Sequence, residues 1–286
     1  MQIPDSPSFL GFSVLVLSIT IFLVQRGWSY LDSSQLLMPK EYKTLKRVVK
    51  KLALKNDLGD QPLTFTIVTG SRAYWAAKAL ALCEETAWGF YRNINPYQTY
   101  HGKGAEEINE VIRQSYLLNG IEAYAYSNGT IAITRSTFRS HTNSEDYLAF
   151  VIGHELSHVL NHDSFNHSLR KAKEGKKLKK KKKELLGYRI SRENETNADI
   201  NSAKMIINAG YPKDTCLKAF EFHARHEGYG QDTQKDSTHP GYEDRREALV
   251  KFLETFNESD VAQRSRETKG NWSYSRELNT LTFNSL

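Results

Sequence analysis

The chain has 286 residues, 39% of them hydrophobic and 11% aromatic, enough to bury a core in one catalytic domain or two small ones, which excludes disorder throughout. Its net charge of +6 is not spread over a domain: nine lysines and two glutamates between Lys171 and Glu184 carry a local +7, leaving −1 for the rest. Two cysteines, Cys83 and Cys216, exclude a disulfide framework and a cysteine metal knuckle, with buried thiols the favoured reading over a single bridge.

Residues 9–24, FLGFSVLVLSITIFLV, hold sixteen residues without a charge, about 24 Å of helix against a ~30 Å hydrocarbon core. Flanking Ser8 and Gln25 and the interfacial pair Trp28 and Tyr30 extend the span, so residues 1–30 read as an uncleaved single-pass anchor touching membrane lipids. A cleaved signal peptide, with Gly27 and Ser29 before the cut, is the competing reading, and Asp5 with no preceding Lys or Arg speaks against it. Arg26, Lys40 and Lys43 follow the span, which by the positive-inside rule leaves the next domain in the cytoplasm; an exported domain is the alternative.

Beyond the anchor, Leu45, Val48, Val49, Leu52 and Leu54 recur at helical spacing among lysines and predict an amphipathic helix over 41–55. A short strand is expected at 63–68, a buried helix at 76–90 and an amphipathic helix at 105–118. Residues 121–126 and 130–134 are β-rich runs joined through Ser127-Asn128-Gly129, a hairpin signal resting on positive φ at both Asn and Gly. Ser144 is placed to cap the following helix, with Glu145 and Asp146 in its first turn and an end near residue 163. Residues 171–184 then read as a lysine-rich loop. Further helices are expected from Ser191 to Gly210, from Asp214 to about Glu227, and from Pro240 to about Phe256. Residues 31–256 thus form one domain, and the polar residues 257–286 a tail.

The segment His154-Glu155-Leu156-Ser157-His158 falls on one of these helices, where residues four apart leave the same face and two imidazoles can share one zinc ion. Glu155 sits about 100° round from His154, beside the metal, where it can take a proton from water. An ordinary polar helix face is the bland alternative. Leu148, Val151, Ile152, Val159 and Leu160 argue against it, because they bury the helix and make unpaired imidazoles costly. A third histidine does not follow at the extended spacing, where Asn161 and Ser164 stand, so the third ligand comes from elsewhere. Glu195 and Asp199, one turn apart on the next predicted helix, supply it: Glu195 on zinc, Asp199 hydrogen-bonded to the free nitrogen of a histidine.

The pattern resembles the Ste24/HtpX-like zinc endopeptidases of peptidase family M48. It does so through HELSHVLNH from His154 to His162, then Glu195-Thr196-Asn197-Ala198-Asp199, then Thr238-His239-Pro240 followed by Arg245. The resemblance spans roughly residues 40–255 and implies a predominantly helical α+β fold of the gluzincin type. With it come a small β-hairpin or sheet and, here, an N-terminal transmembrane helix in a compact single-anchor member. It further implies one Zn2+ per chain on His154, His158 and Glu195, with Glu155 as general base. Asp199 would support a ligand, His239 help hold the oxyanion and Arg245 orient the carboxylates. His162 reads as a polar group at the helix end, not a ligand.

The implied activity is hydrolysis of peptide bonds in unfolded or damaged polypeptides, which lie extended along the hairpin edge. A non-catalytic, chaperone-like zinc-binding protein is the alternative, and the intact Glu155 argues against it. The tract from Lys171 to Lys183 reads as a solvated loop or a contact with anionic lipid headgroups. Nucleic acid is disfavoured, since the tract has no interleaved aromatics for stacking.

Overall fold

Leu63, Phe65 and Ile67 of strand β1 (Leu63–Val68) are buried while Thr64 and Thr66 between them are half-buried, the alternation of a strand with one face on the core. In the computed structural model, which describes residues 16–26, 38–82, 85–118, 120–228, 230–257 and 267–286, β1 is the middle of a five-stranded sheet. The sheet order is β2-β3-β1-β5-β4, with β2 (Ala123–Ala125), β3 (Thr130–Thr134), β4 (Gly270–Ser275) and β5 (Thr280–Ser285). β1 runs parallel to β3 and antiparallel to β5; the other pairs are antiparallel.

The β2–β3 hairpin forms, but its turn is not the expected one. Only Gly129 has positive φ (+81°), and Tyr126 accepts from the Gly129 N–H while donating to Thr130 O. This is a three-residue loop closed by a left-handed glycine, with Asn128 in an ordinary conformation. Beyond residue 257 the expected tail becomes, over 270–285, the strand pair β4–β5. Leu281 and Phe283 are buried against the core, and Trp272 packs on Phe65 and Phe283. Fully buried Tyr42 ties this hairpin in, donating its hydroxyl to Asn279 O at 2.6 Å and accepting the Ile67 N–H.

After a helix α1 over residues 16–26, helix α2 (Lys40–Ala53) buries Tyr42, Leu45, Val48, Val49 and Leu52, the face its spacing predicts. The helix expected at 76–90 is broken into α3 (Ser71–Ala79), a 3-10 turn (Glu85–Ala87) and α4 (Trp88–Arg92), with Ala81 left-handed at φ +54°. With α5 (Ala105–Leu118) these pieces enclose a separate apolar cluster around Tyr74, Tyr91 and Val111. The short α6 (Arg135–Ser140) leads from β3 toward α7 (Glu145–Leu160), which Ser144 precedes without a side-chain cap bond.

The lysine tract is not a loop. Helix α8 (Asp163–Glu174) and the 29-residue α9 (Lys180–Asn208) take up most of it, leaving a turn at 175–179. Lys, Glu and Leu favour helix, and Arg170 and Arg189 bridge Glu174 and Glu193 between the two helices. α10 (Lys213–Glu227) and α11 (Tyr242–Thr255) complete the domain, and α10 packs on α7, α9 and α11.

The predominantly helical α+β fold with its small sheet therefore stands, and the N-terminal transmembrane helix does not. Among the described residues no helix is long and apolar enough to cross a membrane. Residues 16–26 are helical, but eleven residues span only about 16 Å; residues 9–15 of the expected span lie outside the described residues. α9 is long enough but opens on lysines. The single-pass membrane localisation and the lipid contacts through the N-terminal segment are corrected with it.

The tightest helix contact is between α7 and α9. A Cβ on Gly153 would lie 2.7 Å from Ser202 Oγ and 3.3 Å from its Cα, and Ser202 donates to Phe150 O at 2.5 Å. Alanine at position 153 would gain about 1 kcal/mol from helix propensity alone. Gly153→Ala is expected instead to lose about 1–3 kcal/mol in urea unfolding, because the helices must part. A variant as stable as the wild type would contradict that close approach.

Candidate metal centre

Helix α7 carries His154 and His158 one turn apart, and α9 brings Glu195 opposite them. The two Nε2 atoms are 3.2 Å apart; Glu195 Oε2 lies 3.4 Å from His154 Nε2, and its Oε1 3.5 Å from His158 Nε2. One donor atom from each of the three lies within 4.8 Å of the others, an arrangement able to hold a metal ion. The registry that produces it is polar as well as steric, since Asn201 and Asn161 both donate to the buried Ser157 hydroxyl on α7.

The opposite edges of both rings fix their protons. His154 Nδ1 lies 3.0 Å from Asp199 Oδ1, and His158 Nδ1 lies 2.7 Å from Asp163 Oδ2. Ionised carboxylates only accept, so each Nδ1 carries the hydrogen and, in the neutral rings, each Nε2 presents a lone pair. With both rings neutral, two nitrogen lone pairs and a carboxylate face one another, a place for a cation, and two imidazoles with one carboxylate are a donor set that zinc accepts. Electrostatics favours positive charge at the same place. Burial pulls His154 toward the neutral form, yet Asp199 and Glu195 raise its pKa above the ordinary histidine value. Glu195 and Asp199 in turn stay ionised against burial, Glu195 through His154 and His239, Asp199 through Arg245 and His154.

Arg245 on α11 donates to Asp199 from Nε at 2.7 Å and Nη2 at 2.8 Å, both residues being almost wholly buried. Its Nη1 is 3.9 Å from Glu195 Oε2. His239, half exposed on the loop before α11, puts Nδ1 3.1 Å from Glu195 Oε2. Arg192 holds that loop by donating to the carbonyls of Gln234, Lys235 and Ser237. The residues singled out in the sequence, His154, Glu155, His158, Glu195, Asp199, His239 and Arg245, all line one cleft of about 490 Å3.

Glu155 is buried, with the backbone of Ala125 on β2 beside its carboxylate. Burial raises its pKa, opposed by His154 and His158. The pairs Glu122–Thr134 and Tyr126–Thr130 point their backbone groups at β3, so those of Ala123 and Ala125 point outward along the sheet edge, into the cleft. Asp163 and Arg92 also belong to this cleft and were not singled out from sequence. A carboxylate five residues beyond His158 was the one available signal for Asp163; Arg92 has none. His162, left-handed at φ +51°, precedes α8 at the rim and is not among the metal-holding group. Cys216 is buried and free, and Cys83 lies outside the described residues.

A family model, peptidase family M48, matches residues 103–173. The match runs from α5 into α8, about a quarter of the chain, and includes His154, Glu155, His158 and Asp163 but not Glu195, Asp199, His239 or Arg245. Neither the comparison with curated proteins nor that with solved structures finds a match. The match to the M48 model over residues 103–173, together with the His154, His158 and Glu195 triad, supports a metalloprotease.

The Arg245–Asp199 pair makes one structural demand that can be checked without metal. Arg245→Met leaves the Asp199 carboxylate buried with its main partner gone, and is expected to cost about 3–5 kcal/mol in urea unfolding. A loss below about 1 kcal/mol would contradict the pairing.

Proposed function

We propose that the protein is a zinc-dependent endopeptidase, of the Ste24/HtpX-like kind within family M48, that cleaves unfolded or damaged polypeptides. The observation that carries this reading is the meeting of three lone-pair donors, from His154, His158 and Glu195, beside a buried carboxylate and an open sheet edge. Zinc held by that triad supplies a Lewis acid and a water of lowered pKa.

The chain's own residues do the rest. A substrate lies extended along β2, pairing its backbone with the outward groups of Ala123 and Ala125, which recognises any polypeptide able to extend. Glu155, next to His154 in the chain, takes the proton of the attacking water and gives it to the departing amide nitrogen. Its raised pKa suits both halves of that transfer. Asp199 and Asp163 hold the two imidazoles in the tautomer that leaves Nε2 free, and Arg245 fixes Asp199. His239, whose Nδ1 lies beside Glu195, stands at the mouth of the triad and would help hold the developing oxyanion.

The test is Glu155→Gln, which keeps the side chain's size and removes its basicity. Zinc content by metal analysis is expected to match the wild type, while digestion of casein falls by roughly 10²–10⁴-fold. Undiminished digestion would remove Glu155 from the chemistry, and a zinc-loaded wild type that cleaves nothing would favour the binding-protein alternative.

A further inference from the structure

Arg92 closes α4 and stands on the wall of the same cleft. Its backbone is pinned to the end of β1, where Arg92 O accepts the Gly70 N–H at 2.9 Å and the Thr69 hydroxyl at 3.1 Å. From that anchorage the guanidinium carbon lies 3.5 Å above the ring centre of Tyr124, the middle residue of the edge strand β2. A guanidinium stacked flat on a ring keeps its donors in the ring's plane, pointing sideways.

Those donors meet no carboxylate. The nearest candidate by position, Glu122, already accepts the Ser71 N–H at 2.9 Å, the Ser71 hydroxyl at 2.6 Å and the Tyr124 hydroxyl. Among the described residues no ion pair involves Arg92, and its Nε is buried without a hydrogen-bond partner. The other acidic groups of the cleft are likewise engaged: Asp163 with His158, Asp199 with Arg245, Glu195 with the two histidines. An orphaned buried donor costs about 1–3 kcal/mol, so a guanidinium whose partner is Tyr124, and which meets no carboxylate among the described residues, is placed to take an anion.

Alternation along β2 says which part of a substrate reaches it. Ala123 and Ala125 pack their side chains toward the core beneath the sheet, while Tyr124 faces the other way. In a strand added to this edge, every second side chain points into the metal cleft. The intervening ones lie beside Tyr124, within about 4.5–5.5 Å between Cβ atoms for the directly opposite residue.

Building on the endopeptidase reading above, we infer that Arg92 and Tyr124 form a subsite for a carboxylate side chain of the bound polypeptide, selecting substrates with Asp or Glu at one position along the cleft. The same carboxylate chemistry occurs at a chain's C-terminus, so the test uses peptides blocked at both ends, with one free-ended peptide as a separate arm.

The experiment scans Glu, Gln and Lys through each position of a fluorogenic decapeptide and measures kcat/KM for wild type, Arg92→Lys, Arg92→Met and Arg92→Glu. At one position the wild type is expected to prefer Glu over Gln by roughly tenfold, as a charge-assisted hydrogen bond confers. Arg92→Lys should keep part of that ratio, Arg92→Met bring it to about one, and Arg92→Glu reverse it in favour of Lys. A shelf that merely supported Tyr124 would produce no reversal. Binding of the same peptides to zinc-loaded Glu155→Gln, followed by fluorescence anisotropy, separates the two readings. Glu-selective, Arg92-dependent binding without any cleavage by the wild type would uphold the subsite and overturn the peptidase. Indifference to Glu, Gln and Lys at every position, or a preference unchanged in Arg92→Met, would overturn the subsite. So would a preference confined to the free-ended peptide.

Discussion

The close approach of α7 and α9 is the constraint on which the rest of the site depends. Two helices this near each other need a residue without a side chain at the crossing, and Gly153 supplies it directly beside His154. Ser202 and Asn201 then bond across to α7, setting the antiparallel register as well as the distance. With the register fixed, Glu195 falls between the two imidazoles and Asp199 behind the first of them. None of these side chains has much freedom left, because the helices that carry them are locked by buried contacts.

Electrostatics completes what packing begins. Glu155, Glu195, Asp199 and Asp163 gather around two histidines, and among the described residues Arg245 is the one guanidinium within bonding distance of that group. A buried cluster so rich in carboxylates gains from further positive charge at its centre. The place for that charge is the gap the two Nε2 atoms share with Glu195. Binding, tautomer control and the raised pKa of Glu155 are therefore one charge-balance problem. The sheet edge beside it, turned outward at Ala123 and Ala125, is where a polypeptide can meet it.

How far this was legible in the sequence follows from range. His154, Glu155 and His158 declare themselves, because a helical repeat of four puts both imidazoles on one face. Glu195 and Asp199 share that spacing, and the structure brings both to the pair. Arg92 carries no local pattern and Asp163 only its place five residues beyond His158: their roles arise from where α8 begins and how α4 meets β1. The C-terminal strands escape a reading of composition because they are short and half polar, and their burial depends on β1 and Tyr42, more than two hundred residues away. The lysine tract misleads in the opposite direction, since its charge suggests a solvated loop while its residues favour helix. The apolar amino-terminal run misleads by hydropathy alone. Within the described residues its helix covers about half the thickness of a bilayer core.

The most direct measurement is X-ray absorption at the zinc edge on the zinc-loaded protein. The expected spectrum has two imidazole nitrogens and a carboxylate oxygen at about 2.0–2.2 Å in four-coordinate geometry, one position being left to solvent. His158→Ala should remove one imidazole's scattering. A first shell of six oxygens, or one unchanged when His158 is replaced, would contradict a zinc site built on α7 and α9.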